Sequence, residues 1–167
     1  MTNATKFETP FEGRRIQARS KKTHDQLLLA LLADIGKTPV SLEDLAKNYP
    51  DWESYSEEVK RLTGPSGFIL FGLIDHGAWL SKKGSFPQAT RVILGNPLIA
   101  ITMLSHDIRA GLFAPVELLI YEQEEGSSIM YVQPSSLMAV EPDEGLLKAA
   151  SILDQKLEAL VLKCASD

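Results

Sequence analysis

Hydrophobic positions along this 167-residue chain change period several times, and each change predicts an element. In "THDQLLLALLADIG", Leu27, Leu28, Leu31, Leu32 and Ile35 recur at helical spacing. Thr23 and Gln26 form a capping box ahead of that stripe, and Gly36 ends it. "NPLIAITMLSHDIRAG" carries Asn96 at the N-cap, Pro97 at the first helical position and Gly111 past the end, which predicts one long helix. Near the C-terminus, Leu146, Leu147, Ala150, Leu153, Leu157, Leu160 and Val161 repeat as one apolar face, so this helix is expected to lie on a sheet.

Strand signals alternate with these helices. "FILFGLIDHG" predicts a buried strand over 67–75, followed by a helical turn that Gly84 closes, and "TRVILGNP" a second strand over 90–94. Val116–Tyr121 and Ser127–Val132 flank a loop with Gly126 and read as a β-hairpin, with Pro134 ending its second strand. "RRIQARS" (14–20) reads as a charged edge strand. Ser41 and Asp51 open two short helices in a segment, about 38–65, that Pro39 and Pro50 divide. We read that segment as an insertion packed on the main body, with Trp52 and Tyr55 as anchors.

The expected organisation is a flexible arm over 1–13 and a single domain over 14–167. The fold class is α+β: a mixed, largely antiparallel sheet with helices packed mainly on one face. The hairpin must be antiparallel, whereas strand–helix–strand crossovers can be parallel. An open hairpin edge would offer a surface for a second copy of the chain.

Composition narrows the function classes. Hydrophobic residues make up 44% of the chain, enough for a core without staples, and the net charge of −5 gives no general attraction to nucleic acid or acidic lipid. No apolar run is long enough for a membrane span, and the N-terminal stretch lacks the pattern of a signal peptide. A soluble, cytoplasmic protein is expected. Cys164 is the single cysteine and reads as a packed thiol. Three scattered histidines, His24, His76 and His106, have no metal-ligand spacing, so no metal is expected.

The chemistry on offer is sparse. Asp75 and His76 stand where an apolar strand gives out, and a carboxylate near an imidazole is raw material for acid–base work. Adjacent strand residues point to opposite faces, so the two cannot simply partner each other. Asp75 as a cap for the following turn is the plainer reading. Gly95, Asn96 and Pro97 open a helix whose N-terminus favours anions, although capping alone accounts for Asn96. Were the strands 67–75 and 90–94 parallel, Asp75, His76, Gly95 and Asn96 would meet at one sheet edge, with Trp79 lining the pocket.

Taken together, Ile74-Asp75-His76, Gly95-Asn96-Pro97, the hairpin and Tyr131-Val132-Gln133-Pro134 resemble the pattern of the domain of unknown function 302 family over roughly 14–137. The 38–65 insertion lies outside that family's usual short form. Leu94 stands where the family has Phe, Ala114-Pro115 where it has Leu-Pro, and Phe113 where an Asp is frequent. The resemblance implies a fold similar to the TATA-box-binding-protein-like α+β class and a homodimer. It implies no DNA binding, and it carries across no activity or cofactor. The expected function is a dimeric, non-catalytic domain for small-molecule binding or interaction. The alternatives are an enzyme with His76 as general acid or base, and an assembly module that docks through the insertion.

Overall fold

Five strands make the sheet: β1 (Arg15–Ser20), β2 (Ile69–Asp75), β3 (Ala89–Gly95), β4 (Val116–Glu122) and β5 (Ser127–Val132), in the order β1-β5-β4-β3-β2. The computed structural model describes residues 4–166, so residues 1–3 of the expected arm lie outside the described part. Residues 4–13 have no regular structure, and Phe11 meets Phe113 edge to face at 6.2 Å. Helices α1 (His24–Ile35) and α7 (Glu144–Ala165) lie across one face of the sheet, completing the α+β fold.

Alternation along the strands decides what goes inside. Val92 and Leu94 of β3, Val116, Leu118 and Ile120 of β4, and Ile129 and Tyr131 of β5 face the helices and are buried. Leu27, Leu31 and Ile35 of α1 meet them there, as do Leu146, Ala150, Leu153, Leu157, Leu160 and Val161 of α7. Each fully buried side chain of this size stabilises by about 1.5–3 kcal/mol. The opposite face carries the cross-strand row Ile74, Arg91, Leu119, Met130 and Gln17. That face is half-open, with Ile74 40% exposed.

Every strand pair is antiparallel, which corrects the mixed sheet expected above. The connection between β2 and β3 shows why. It spans residues 76–88, and its one helix, α4 (His76–Leu80), rises about 7 Å, too little to carry the chain back along the roughly 20 Å of β2 while packed on the sheet; the chain instead turns back on itself and Thr90 pairs with Asp75. A second correction concerns the hairpin. β4 and β5 lie inside the sheet, paired outward with β3 and β1, so the hairpin has no open edge to offer a second copy.

Two helical boundaries also moved. The helix opened by Asn96 is α5 (Pro97–Leu104), and it stops well short of Gly111. Asp107 caps a separate 3₁₀ turn, Ile108–Phe113, by accepting from the Arg109 N–H at 2.9 Å. Pro134 begins a short helix, α6 (Pro134–Met138), as well as ending the hairpin.

The insertion forms α2 (Leu42–Asn48) and α3 (Trp52–Leu62), capped by Ser41 and Asp51 as predicted. Both of its ends are fastened to the start of β2: the Val40 N–H donates to Leu70 O and the Gly64 N–H to Phe68 O, each at 2.9 Å. Leu45, Ser56 and Val59 are its buried residues. Trp52 is not an anchor, for it sits in the first turn of α3 and is 58% exposed. Beneath the exit of the insertion lies Asp34, whose side chain is only 2% exposed. It accepts from Ser66 N–H (3.1 Å), Ser66 Oγ (2.8 Å) and Lys163 Nζ (2.6 Å), tying α1, the insertion and α7 together.

Candidate functional site

Asp75 ends β2 and caps α4, its Oδ1 accepting from the Ala78 N–H at 3.0 Å. His76 is the first residue of that helix, and its Nδ1 accepts from Trp79 Nε1 at 3.3 Å, with the two rings edge to face. Asp75 and His76 therefore each hold a separate partner. The Asp75–His76 step is a helix start that uses its acid as the cap, the plainer of the two readings of the sequence.

Gly95 and Asn96 are elsewhere. In the antiparallel register Asp75 lies opposite Thr90 and Gly95 opposite Ile69, so the two motifs stand at opposite ends of the β2–β3 ladder, about 20 Å apart. The expected rim uniting Asp75, His76 and Trp79 with Gly95 and Asn96 does not exist. It depended on a parallel pair, and β2 and β3 are antiparallel, the chain turning straight back after Asp75.

The Asn96 end holds the more substantial feature, a cavity of about 560 Å³. One wall is α5, with Pro97, Ala100, Ile101 and Leu104; the opposite wall is the insertion, with Leu42, Tyr49, Trp52 and Tyr55. Phe71 and Pro115 close the sheet side against Gly95, where an added Cβ would sit 3.1 Å from the Phe71 ring and 3.3 Å from Pro115. Gly95 is thus required by close packing and not by a phosphate. Trp52 and Tyr55 stack one helical turn apart, ring centres 6.0 Å and planes 25° apart. Burial raises the pKa of the Tyr55 phenol, which stays neutral. Size and apolar lining are those of a small-molecule site.

Asn96 itself is fully occupied. Its Oδ1 accepts from the Leu98 N–H at 2.8 Å, and its Nδ2 donates to Gly67 O at 3.0 Å and to Thr63 Oγ1 at 3.3 Å. It caps α5 and laces the end of the insertion to that cap.

A third polar group joins residues that the sequence does not connect. His24, buried at the start of α1, contacts Asp25 Oδ1 through Nδ1 at 3.0 Å and Thr90 Oγ1 through Nε2 at 3.1 Å. Carboxylate, imidazole and hydroxyl in that order can pass a proton. Thr90 is nearly fully buried, however, and lines none of the cavities described, so the chain of bonds ties α1 to β3. Cys164 is likewise inert: burial above all, with the Asp34 carboxylate adding to it, pushes its thiol up to about 11. Among the described residues no group of three His, Cys, Asp or Glu side chains is placed to hold a metal, and no helix is long and apolar enough to cross a membrane.

Sequence reading missed the cavity because its two walls are far apart along the chain and neither carries a motif. One signal was present. "PLIAITML" is apolar around its whole circumference, so some side of it had to face more than the sheet.

With this geometry in hand, comparison with known proteins gives a consistent picture. The family model described as "Domain of unknown function DUF302" matches residues 45–163, from within α2 almost to the end of α7, so most of the 38–65 segment falls inside the family match, contrary to the expectation that it lies outside, and the match extends past residue 137. No curated protein matches the chain. Among solved structures, an uncharacterised conserved DUF302 protein from Bacillus stearothermophilus superposes with a TM-score of 0.64 at 18% identity, covering 90% of this chain and 97% of that one. At that identity the likeness bears on the fold.

Proposed function

The chain belongs to the DUF302 family, which is defined without a function, and from that premise we propose that it is a small-molecule-binding domain whose ligand occupies the cavity between α5 and the insertion. The observation that carries this reading is the cavity itself: about 560 Å³, walled by Trp52, Tyr55, Phe71 and the apolar helix α5. Burying an apolar molecule there gains roughly 25 cal/mol per Å² of apolar surface removed from water. The role is binding without catalysis, in keeping with the separate partners of Asp75 and His76 and with the fully bonded Asn96.

The neutral fluorescent probe N-phenyl-1-naphthylamine tests the site. It is expected to bind the native chain with enhanced emission. Ala100→Trp places an indole in the cavity without breaking the helix and is expected to weaken probe binding about tenfold or more, since each 1.4 kcal/mol is a factor of ten. A probe that binds the variant as well as the parent chain rejects the reading.

A second reading concerns assembly. The half-open sheet face, with Ile74, Leu119 and Met130 in one row, favours a homodimer built face to face in place of the hairpin edge. Leu119→Asp in the centre of that row is expected to halve the mass seen by light scattering. An unchanged mass, or a parent chain that is already monomeric, removes this interface.

A further inference from the structure

The cavity has a charge preference as well as a shape. Of the residues that line it, Asp51 alone is charged. Its carboxylate is held below the usual range by the Ser54 hydroxyl, at 2.6 Å, and the Ser54 N–H, at 2.9 Å, so it is an anion at neutral pH. It stands beside the Trp52–Tyr55 stack, and aromatic faces attract cations.

An anionic ligand would need donors, and the obvious source is spent. The N-terminus of α5, at Asn96 and Pro97, lies on the lining of the cavity, and a helix start would ordinarily suit a carboxylate or phosphate. Here Pro97 has no N–H, Leu98 donates to Asn96 Oδ1, and Ile99 and Ala100 both donate to Asn96 O at 3.0 and 2.9 Å. The Asn96 amide is also committed, to Gly67 O and Thr63 Oγ1. A carboxylate entering the cavity would lose water and gain no donor from this helix start.

Resting on the binding role proposed above, we infer that the cavity takes apolar molecules that are cationic or uncharged, an aromatic ring carrying an alkylammonium best, and turns away carboxylates and phosphates of the same shape. Lys156 stands near Gly67 and Ile99 but outside the lining, and is the residue to control for.

The test is competition against N-phenyl-1-naphthylamine by three naphthalenes that differ only in their substituent: the methylamine, the methanol and the carboxylate. With the full chain, the amine is expected to displace the probe at about two- to threefold lower concentration than the alcohol, the scale of one solvent-exposed charge contact, and the carboxylate at a concentration higher by at least about as much. Asp51→Asn keeps a good N-cap, so α3 stays in place while the amine falls back towards the alcohol; the carboxylate, still without a donor at the helix start, stays the weakest of the three. Lys156→Gln is expected to leave the ranking as it was. A carboxylate that competes as well as the alcohol overturns the inference, as does an advantage of the amine over the alcohol that survives Asp51→Asn or is lost in Lys156→Gln. In those cases the sensitivity of the probe to Ala100→Trp shows the cavity reading still standing. If the probe binds nowhere, or binds Ala100→Trp unchanged, the cavity reading falls and this inference with it.

Discussion

Gly64→Ala is expected to destabilise the protein by about 3–4 kcal/mol, the upper range for a single substitution. A Cβ at this position would lie 1.8 Å from the Asp34 carbonyl oxygen and 2.8 Å from its carbon. Both are backbone atoms at the end of α1, so no side chain can swing aside. Relief requires lifting the exit of the insertion, which breaks the Gly64–Phe68 hydrogen bond and drags on the Asp34–Ser66 contacts. Urea unfolding measures the loss. Gly13→Ala is the matching control, since its Cβ would meet only side-chain atoms at 3.5 and 3.7 Å, and it is expected to stay within about 0.5 kcal/mol of the parent. Equal stability of the two variants would mean that α1 and the insertion are not in contact there.

Asp34→Asn is expected to cost about 2 kcal/mol at neutral pH, the scale of losing charge-assisted hydrogen bonds at a buried acceptor. Asparagine can still accept from the Ser66 N–H, but its amide would face the Lys163 ammonium. The pH dependence carries a separate signature. Burial alone would raise the pKa of Asp34, but the hydrogen bonds from Lys163 and Ser66, with the lysine charge, outweigh it and leave the pKa below the ordinary carboxylate value. The folded state therefore holds the proton less tightly than the unfolded chain does. Its contribution is present above the unfolded pKa, near 4, and is lost as pH falls through the lower folded value. Asp34→Asn is expected to flatten that acid limb of the unfolding free energy. A limb of unchanged slope would show that Asp34 is not the ionised group holding these three elements together.

Much of the fold was legible because its signals are local. The Thr23–Gln26 capping box, the caps at Ser41, Asp51 and Asn96, and the period-two strands are each decided within a few residues. The sense of the β2–β3 pairing was not. It is set by whether residues 76–88 cross the sheet or turn back, and a thirteen-residue stretch with one short helical signal is compatible with both. That one unread choice relocated half of the candidate site, leaving Asp75, His76 and Trp79 at one end and Gly95 and Asn96 at the other. Trp52 misled for a related reason: an aromatic next to polar neighbours reads as a wedge into the core, while here it overhangs a cavity that exists only once α3 meets α5. His24 and Thr90 were invisible as a pair, since nothing in either segment announces a contact across 66 positions.

The segment departs from the main body at Val40 and rejoins it at Gly64, and its two moorings, Leu70 and Phe68, lie two residues apart where the chain enters β2. A segment whose ends nearly touch behaves as a cassette: it can be shortened, lengthened or exchanged with little entropic penalty and without disturbing the ladder that bears it. Because that cassette supplies the aromatic wall, the compartment's volume and taste in ligands can diverge among relatives while the scaffold stays fixed.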